Sequence, residues 1–162
     1  MKLFDPSRLL VAGVLVVLAG CGAEEEIRPD LSPAAGSLMI NGEPAAGAML
    51  VFDPADGKEF DARGTRPRAT VQEDGTFEVT TYQQGDGAPA GDYQVAVLWF
   101  ENPDASNPWD KLGNQYANPK KTDIRVTVRE GENQWEPIKI ENARILSRPP
   151  ARPNAKDFDQ VD

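Results

Sequence analysis

Apolar and polar residues alternate with a period of two through most of the middle of this chain. In Thr122–Glu130, Ile124, Val126 and Val128 interleave with Arg125, Thr127 and Arg129. That spacing sends one set of side chains into a core and the other into water, as in a half-buried strand. The same alternation runs on both sides of Asp74-Gly75 in Ala69–Thr81, and this dipeptide supplies the positive φ of a tight hairpin. Gly91–Phe100 is more continuously apolar. Tyr93, Val95, Val97 and Trp99 fall on one face and Ala96, Leu98 and Phe100 on the other, which predicts a central strand. Ser37–Ile40, Ala48–Asp53 and Gln134–Ile140 bring the predicted strands to seven. No segment of this region carries a helical stripe, so the pattern predicts two stacked antiparallel sheets.

A different pattern opens the chain. Lys2 and Arg8 precede an almost wholly apolar run, Leu9–Gly20, that ends in small residues before Cys21, the one cysteine present. A positive start, an apolar stretch and small residues before a cut are the order of a secretory signal. The run has 12 residues, against the ~20 that a helix needs to cross the hydrocarbon layer, so no permanent transmembrane helix is expected there. Leu18-Ala19-Gly20-Cys21 resembles the bacterial lipobox, in which cleavage leaves the cysteine first and its thiol and amine carry acyl chains such as palmitate. The resemblance implies a lipid anchor at Cys21. Each buried methylene contributes ~0.8 kcal/mol, so several chains hold where one binds weakly. Gly22 after the cysteine favours delivery to the outer membrane by the sorting rule of enteric bacteria.

Composition then sets boundaries. A chain cut before Cys21 keeps 142 residues, enough for one domain with a true core. It carries a formal charge of −10, one more negative than the uncut chain, and repels phosphate backbones, so nucleic acid is not an expected partner. Residues 1–20 are read as signal peptide and 21–35, with Glu24-Glu25-Glu26 and two prolines, as an acidic tether reaching roughly 20 Å. The sandwich is placed at 36–140. Residues 141–162, with prolines, Arg144, Arg148, Arg152 and Lys156 before Asp157, Asp159 and Asp162, are read as a flexible tail.

Three turn and core signatures carry a second resemblance. Gly36 with Asn41-Gly42, Pro44 and Gly47-Ala48, then Asp74-Gly75 before Phe77, then Ala90-Gly91 before Tyr93, are similar to the carboxypeptidase regulatory-like, transthyretin-like domains. With the lipobox, the chain resembles small lipoproteins of planctomycete-type bacteria. The resemblance implies a seven-stranded antiparallel Greek-key β-sandwich behind a signal peptide. Its motifs are turns and core positions, so it speaks to fold and hardly to activity.

The candidate chemistry is sparse. With no histidine, a Ser-His-Asp triad, a histidine-held metal and imidazole acid–base work are all excluded. An acylated Cys21 removes the thiol as nucleophile or ligand. Asp53–Asp61 and Glu101–Asp110 crowd oxygen ligands that calcium uses, but without the spacing of a calcium loop, and no metal or cofactor is expected. A Lys–Asn crosslink of the kind found in surface-adhesin repeats would need a buried lysine beside an acid, for which Lys139 is the candidate. The long connection Glu101–Thr122 exceeds the usual ~4–6 residues and holds Trp109 and Tyr116 among amides and acids, a composition suited to a sugar or peptide surface. The competing role for those aromatics is to anchor the connection over an open sheet edge. The expected function is a non-catalytic, lipid-anchored cell-envelope protein acting as a structural or interaction module. Its partners are membrane lipid and an envelope protein or wall glycan. The alternative is a carbohydrate-binding accessory lipoprotein using residues 101–122.

Overall fold

The computed structural model describes residues 28–147 and Pro149. The expected signal peptide, the lipobox Leu18, Ala19, Gly20 and Cys21, the tether as far as residue 27 with Glu24, Glu25 and Glu26, and Arg148 and residues 150–162 of the expected tail lie outside them. In chain order the described strands are β1 (Ala34–Ile40), β2 (Glu43–Pro44), β3 (Met49–Pro54), β4 (Arg68–Thr70), β5 (Thr76–Glu78), β6 (Gly91–Leu98), β7 (Phe100–Glu101), β8 (Trp109–Asp110), β9 (Arg125–Val128), β10 (Asn133–Gln134) and β11 (Ile138–Ile140), with a 3₁₀ turn at Pro119–Lys121. Among the described residues all regular structure except that turn is β.

β1 shows why these residues make strands. Ala34, Gly36, Leu38 and Ile40 are buried, and the residues between them are half-buried. β1 is the spine of one sheet. β5 and β2 flank it antiparallel on one side, and β10 and β11 run parallel to it on the other. The second sheet has the order β4-β3-β6-β9, antiparallel throughout, and β7 and β8 form a separate hairpin.

The two sheets share one core. Leu38, Ile40 and Phe77 from the first meet Leu50, Phe52, Val95 and Val97 from the second. Phe52 is its aromatic hub, 6.4 Å from Phe77, 6.5 Å from Tyr93 and 5.8 Å from Trp135 between ring centroids. Burying each such ring contributes roughly 1.5–3 kcal/mol. Gly36 makes room for them: a Cβ there would stand 3.0 Å from Phe77 and 3.5 Å from Trp135. The Tyr93 hydroxyl donates to Pro89 O at 2.8 Å, and burial, then the charge of Asp56, pushes its pKa up to about 12.

Three expectations about the fold are corrected. First, the sheets are not all antiparallel. The chain crosses from β9 to the other sheet at Glu130–Glu132 and enters beside β1 heading the same way. Second, the described strands number eleven rather than seven. Gln134–Ile140 is interrupted, because Pro137 has no N–H to give the ladder, and the Glu101–Thr122 connection contributes β7 and β8. Third, the hairpin at Asp74-Gly75 divides. Its tip closes as expected, with Gln72 N donating to Thr76 O at 2.8 Å, and Arg68 and Thr80 form a bridge farther back. Between those points the arms part, β4 pairing with β3 and β5 with β1, so the turn joins the two sheets.

Contacts of the sandwich extend beyond 36–140 at both ends. β1 starts at Ala34, and Ser32 already exchanges backbone hydrogen bonds with Ala88 at 2.9 and 3.1 Å. At the other end Ala143 is buried and held by Asn41, which donates from Nδ2 to its carbonyl at 2.9 Å and accepts from its amide at 2.8 Å.

Candidate functional site

β6 has a strand partner along only half of one side, since β9 pairs with Gly91–Gln94 and no farther. Unpaired edge groups need covering, and the Glu101–Thr122 connection with its neighbours covers them. Val95 N donates to Ile124 O at 3.0 Å, Val97 N to Tyr116 O at 2.9 Å, and the buried Thr122 hydroxyl to Val95 O at 2.8 Å. Asp110 organises the connection. Its buried carboxylate accepts from the amides of Trp99, Leu112 and Asn114 at 2.8, 3.2 and 2.7 Å. Tyr116 is half-buried and packs on the core. Trp109 is half-buried in β8, opposite Glu101. The ring standing under a cation here is Trp99: Lys111 Nζ lies 3.5 Å from its centroid, and its Nε1 donates to Ala46 O at 2.9 Å.

Tyr116 borders a depression of about 390 Å³ with Lys121, Thr122, Ile124, Lys139 and Ile140. This depression shares Asp123, Ile124 and Lys139 with a groove of about 590 Å³ between β9 and the segment 135–139 that leads into β11. Ile124, Val126, Trp135 and Ile138 supply its apolar surface, each partly buried against the core. Arg125 on β9 and Arg129 just after it line the groove, as does Lys139 on β11, and Asp123 and Glu136 are part of the same lining. Trp109 borders neither space, so the two aromatic candidates do not share a surface there. The sequence does not mark the groove residues as a site, because Ile124, Val126 and Ile138 read as core. Trp135, an aromatic between Gln134 and Glu136 just before a proline, was the available signal.

The acids that suggested calcium are engaged by the protein's own donors. Asp53 pairs with Arg66 at 2.8 Å, Asp56 accepts from Lys58 N at 3.0 Å, and Asp61 accepts from Arg63 N, Thr65 N and the Tyr82 hydroxyl. Lys139 is exposed, which corrects its candidacy for a buried crosslink. Another cleft, of about 520 Å³, lies at one end of the sandwich between Pro54–Phe60 and Pro89–Tyr93. Its charged residues are Asp56, Lys58, Glu59 and Asp92.

Set against protein-family models and curated proteins, the chain matches none. Among solved structures it is similar to the major pilin subunit of Bacillus cereus at 17% identity, with a TM-score of 0.39, over 69% of this chain and 30% of the pilin.

Proposed function

We propose that this chain is a lipid-anchored, non-catalytic protein of a bacterial cell envelope, held at Cys21 and presenting its sandwich as an interaction module. The anchor rests on the lipobox and the apolar run before it, and an outer-membrane address on Gly22. For the fold we propose a Greek-key sandwich of the transthyretin-like, carboxypeptidase regulatory-like kind, supported by the turns at Asn41-Gly42 and Asp74-Gly75 and by the buried Tyr93.

The observation that carries the interaction reading is the groove with its adjoining depression, from Tyr116 to Trp135, where apolar side chains stay partly exposed between β9 and the segment that leads into β11. Monomeric proteins keep large contiguous apolar patches covered unless something binds them. A carbohydrate-binding role for residues 101–122 has Tyr116 at one end of the same groove in its favour.

The test uses the full chain in its native envelope with a photo-crosslinking amino acid at Ile138, and a second version carrying it at Trp109. A defined envelope protein captured from Ile138 alone supports the module reading. Glycan captured from Trp109 moves the function to the 101–122 connection, and no adduct from either overturns the interaction role. Cys21→Ser in parallel is expected to release the chain from the membrane fraction or leave its signal uncut. Unchanged fractionation without attached lipid would refute the anchor.

A further inference from the structure

Resting on that reading of the groove as a docking site, we infer that its occupant is an extended peptide segment of a partner protein in which apolar residues alternate with carboxylates. The charge of the walls is the first argument. In a chain of net charge −9 the groove brings together Arg125, Arg129 and Lys139, with Lys121 beside the adjoining depression. Among the described residues none of these four has an acid within ion-pair distance, although Asp123 and Glu136 line the same groove. Guanidinium groups take carboxylates in paired hydrogen bonds, with geometry that matches the planar fork.

The apolar surface is the second argument, and it separates a peptide from a glycan. Ile124, Val126 and Ile138 are aliphatic, whereas sugars stack on flat aromatic faces edged by polar groups. The aromatic ring of the 590 Å³ groove, Trp135, has its indole N–H committed to Thr127 O at 3.0 Å. Backbone direction is the third argument. Because Ile124 O faces β6, alternation turns the amide and carbonyl of Arg125 away from that sheet, and because Ile140 O faces β1, those of Lys139 turn outward too. These groups offer main-chain hydrogen bonds to an extended segment. Farther along, Trp135 and Asn133 already cap Thr127 and Arg129, which ends the usable edge. An alternating segment sets its apolar side chains on the groove and its acids at the spacing of residues two apart on β9.

The experiment measures fluorescence anisotropy of labelled, end-capped VEVEVEV and VKVKVKV peptides with the full chain in detergent micelles. The acidic peptide is expected to bind and to weaken as salt rises. The pair Arg129→Glu with Lys139→Glu is expected to weaken it by at least about tenfold, because two attractive charge contacts turn repulsive. The pair Lys58→Glu with Arg68→Glu, which changes net charge equally at positions that line neither the groove nor the depression, Arg68 being on β4 at the opposite edge of its sheet from β9, should leave binding close to wild type. Circular dichroism establishes that both pairs fold. Equal binding of the lysine peptide, indifference to the groove pair, or no binding of either peptide would overturn the inference. A protein adduct from Ile138 in the envelope would still stand for the module reading by itself.

Discussion

Asp61 holds three donors, the amides of Arg63 and Thr65 at 3.0 and 2.9 Å and the Tyr82 hydroxyl at 2.9 Å. Donors aimed at a carboxylate favour its ionised form. The bonds from Thr65 lead in lowering the Asp61 pKa from 3.8 to about 2, and those from Tyr82 and Arg63 add to them. Asp56 and Asp74 are lowered in the same way, led by the amide of Lys58 and the hydroxyl of Thr76. Asp86 takes the amides of Thr81, Tyr82 and Gln83 at 2.7 to 2.9 Å. Part of the acidic surplus thus fastens turns. A group whose folded pKa is depressed contributes stability that is whole above its unfolded value and fades as pH falls through the folded one. For Asp61 that window runs from 3.8 down to about 2. Asp61→Asn is therefore expected to lower the urea midpoint at neutral pH and to flatten its decline across that window. Parallel acid limbs in wild type and variant would refute this role for Asp61.

At the scale of elements, the exposed side of β9 is guarded by side chains from the segment that follows it. Trp135 donates to Thr127 O at 3.0 Å, and Asn133 accepts from Arg129 N and returns a bond to Arg129 O at 2.9 and 2.8 Å. Such caps keep a free strand from pairing with another copy. Trp135→Phe keeps a ring beside Phe52 and Phe77 but drops the donor, at a stability cost of about 1 kcal/mol. It is expected to raise the dimer fraction in sedimentation velocity above that of wild type at equal concentration. Unchanged association would mean that Trp135 serves the core alone. Period-two patterning makes Ile124, Val126, Val128, Tyr93, Val95 and Val97 legible in the sequence, because one face of each strand meets the core. The direction of β11 was not legible, since it depends on the route of the Glu130–Glu132 crossing rather than on its own residues. Asp74-Gly75 likewise specifies a tip and leaves open which sheet each arm joins. Asp110 was unreadable as a hub because its three donors are backbone amides, which every sequence offers.

At the scale of the whole molecule, the two ends of the described chain are tied to the sandwich by contacts that composition does not reveal. Proline and charge mark a stretch as solvated, and on that ground the sequence places the sandwich at 36–140, yet residues on both sides are tied to it. Arg28 lies over the Tyr82 ring at 4.5 Å, and Leu146 N donates to Lys111 O at 2.8 Å. The groove escaped the sequence reading for a related reason. It is assembled from 123–129 and 135–139, each of which reads as ordinary strand until the open space between them is seen. Trp109 and Tyr116 were legible as aromatics in a long connection, but only Tyr116 borders the groove system. The attachment of the ends has its clearest test at Asn41, whose side chain clasps Ala143 across 102 residues of chain. Asn41 has φ 53, so Asn41→Gly removes the clasp and keeps a backbone that tolerates this conformation. Two hydrogen bonds at roughly 1 kcal/mol each give an expected loss of about 1–2 kcal/mol in urea unfolding. Ending the chain after Glu141 removes the same clasp together with the burial of Ala143 and the Leu146 bond, so its loss should be the larger. Because the two changes share one interaction, their combination should fall short of the sum by about the clasp's own contribution. Full additivity would show that Asn41 stabilises its turn without reference to Ala143, and that the segment after Glu141 is held by Leu146 instead.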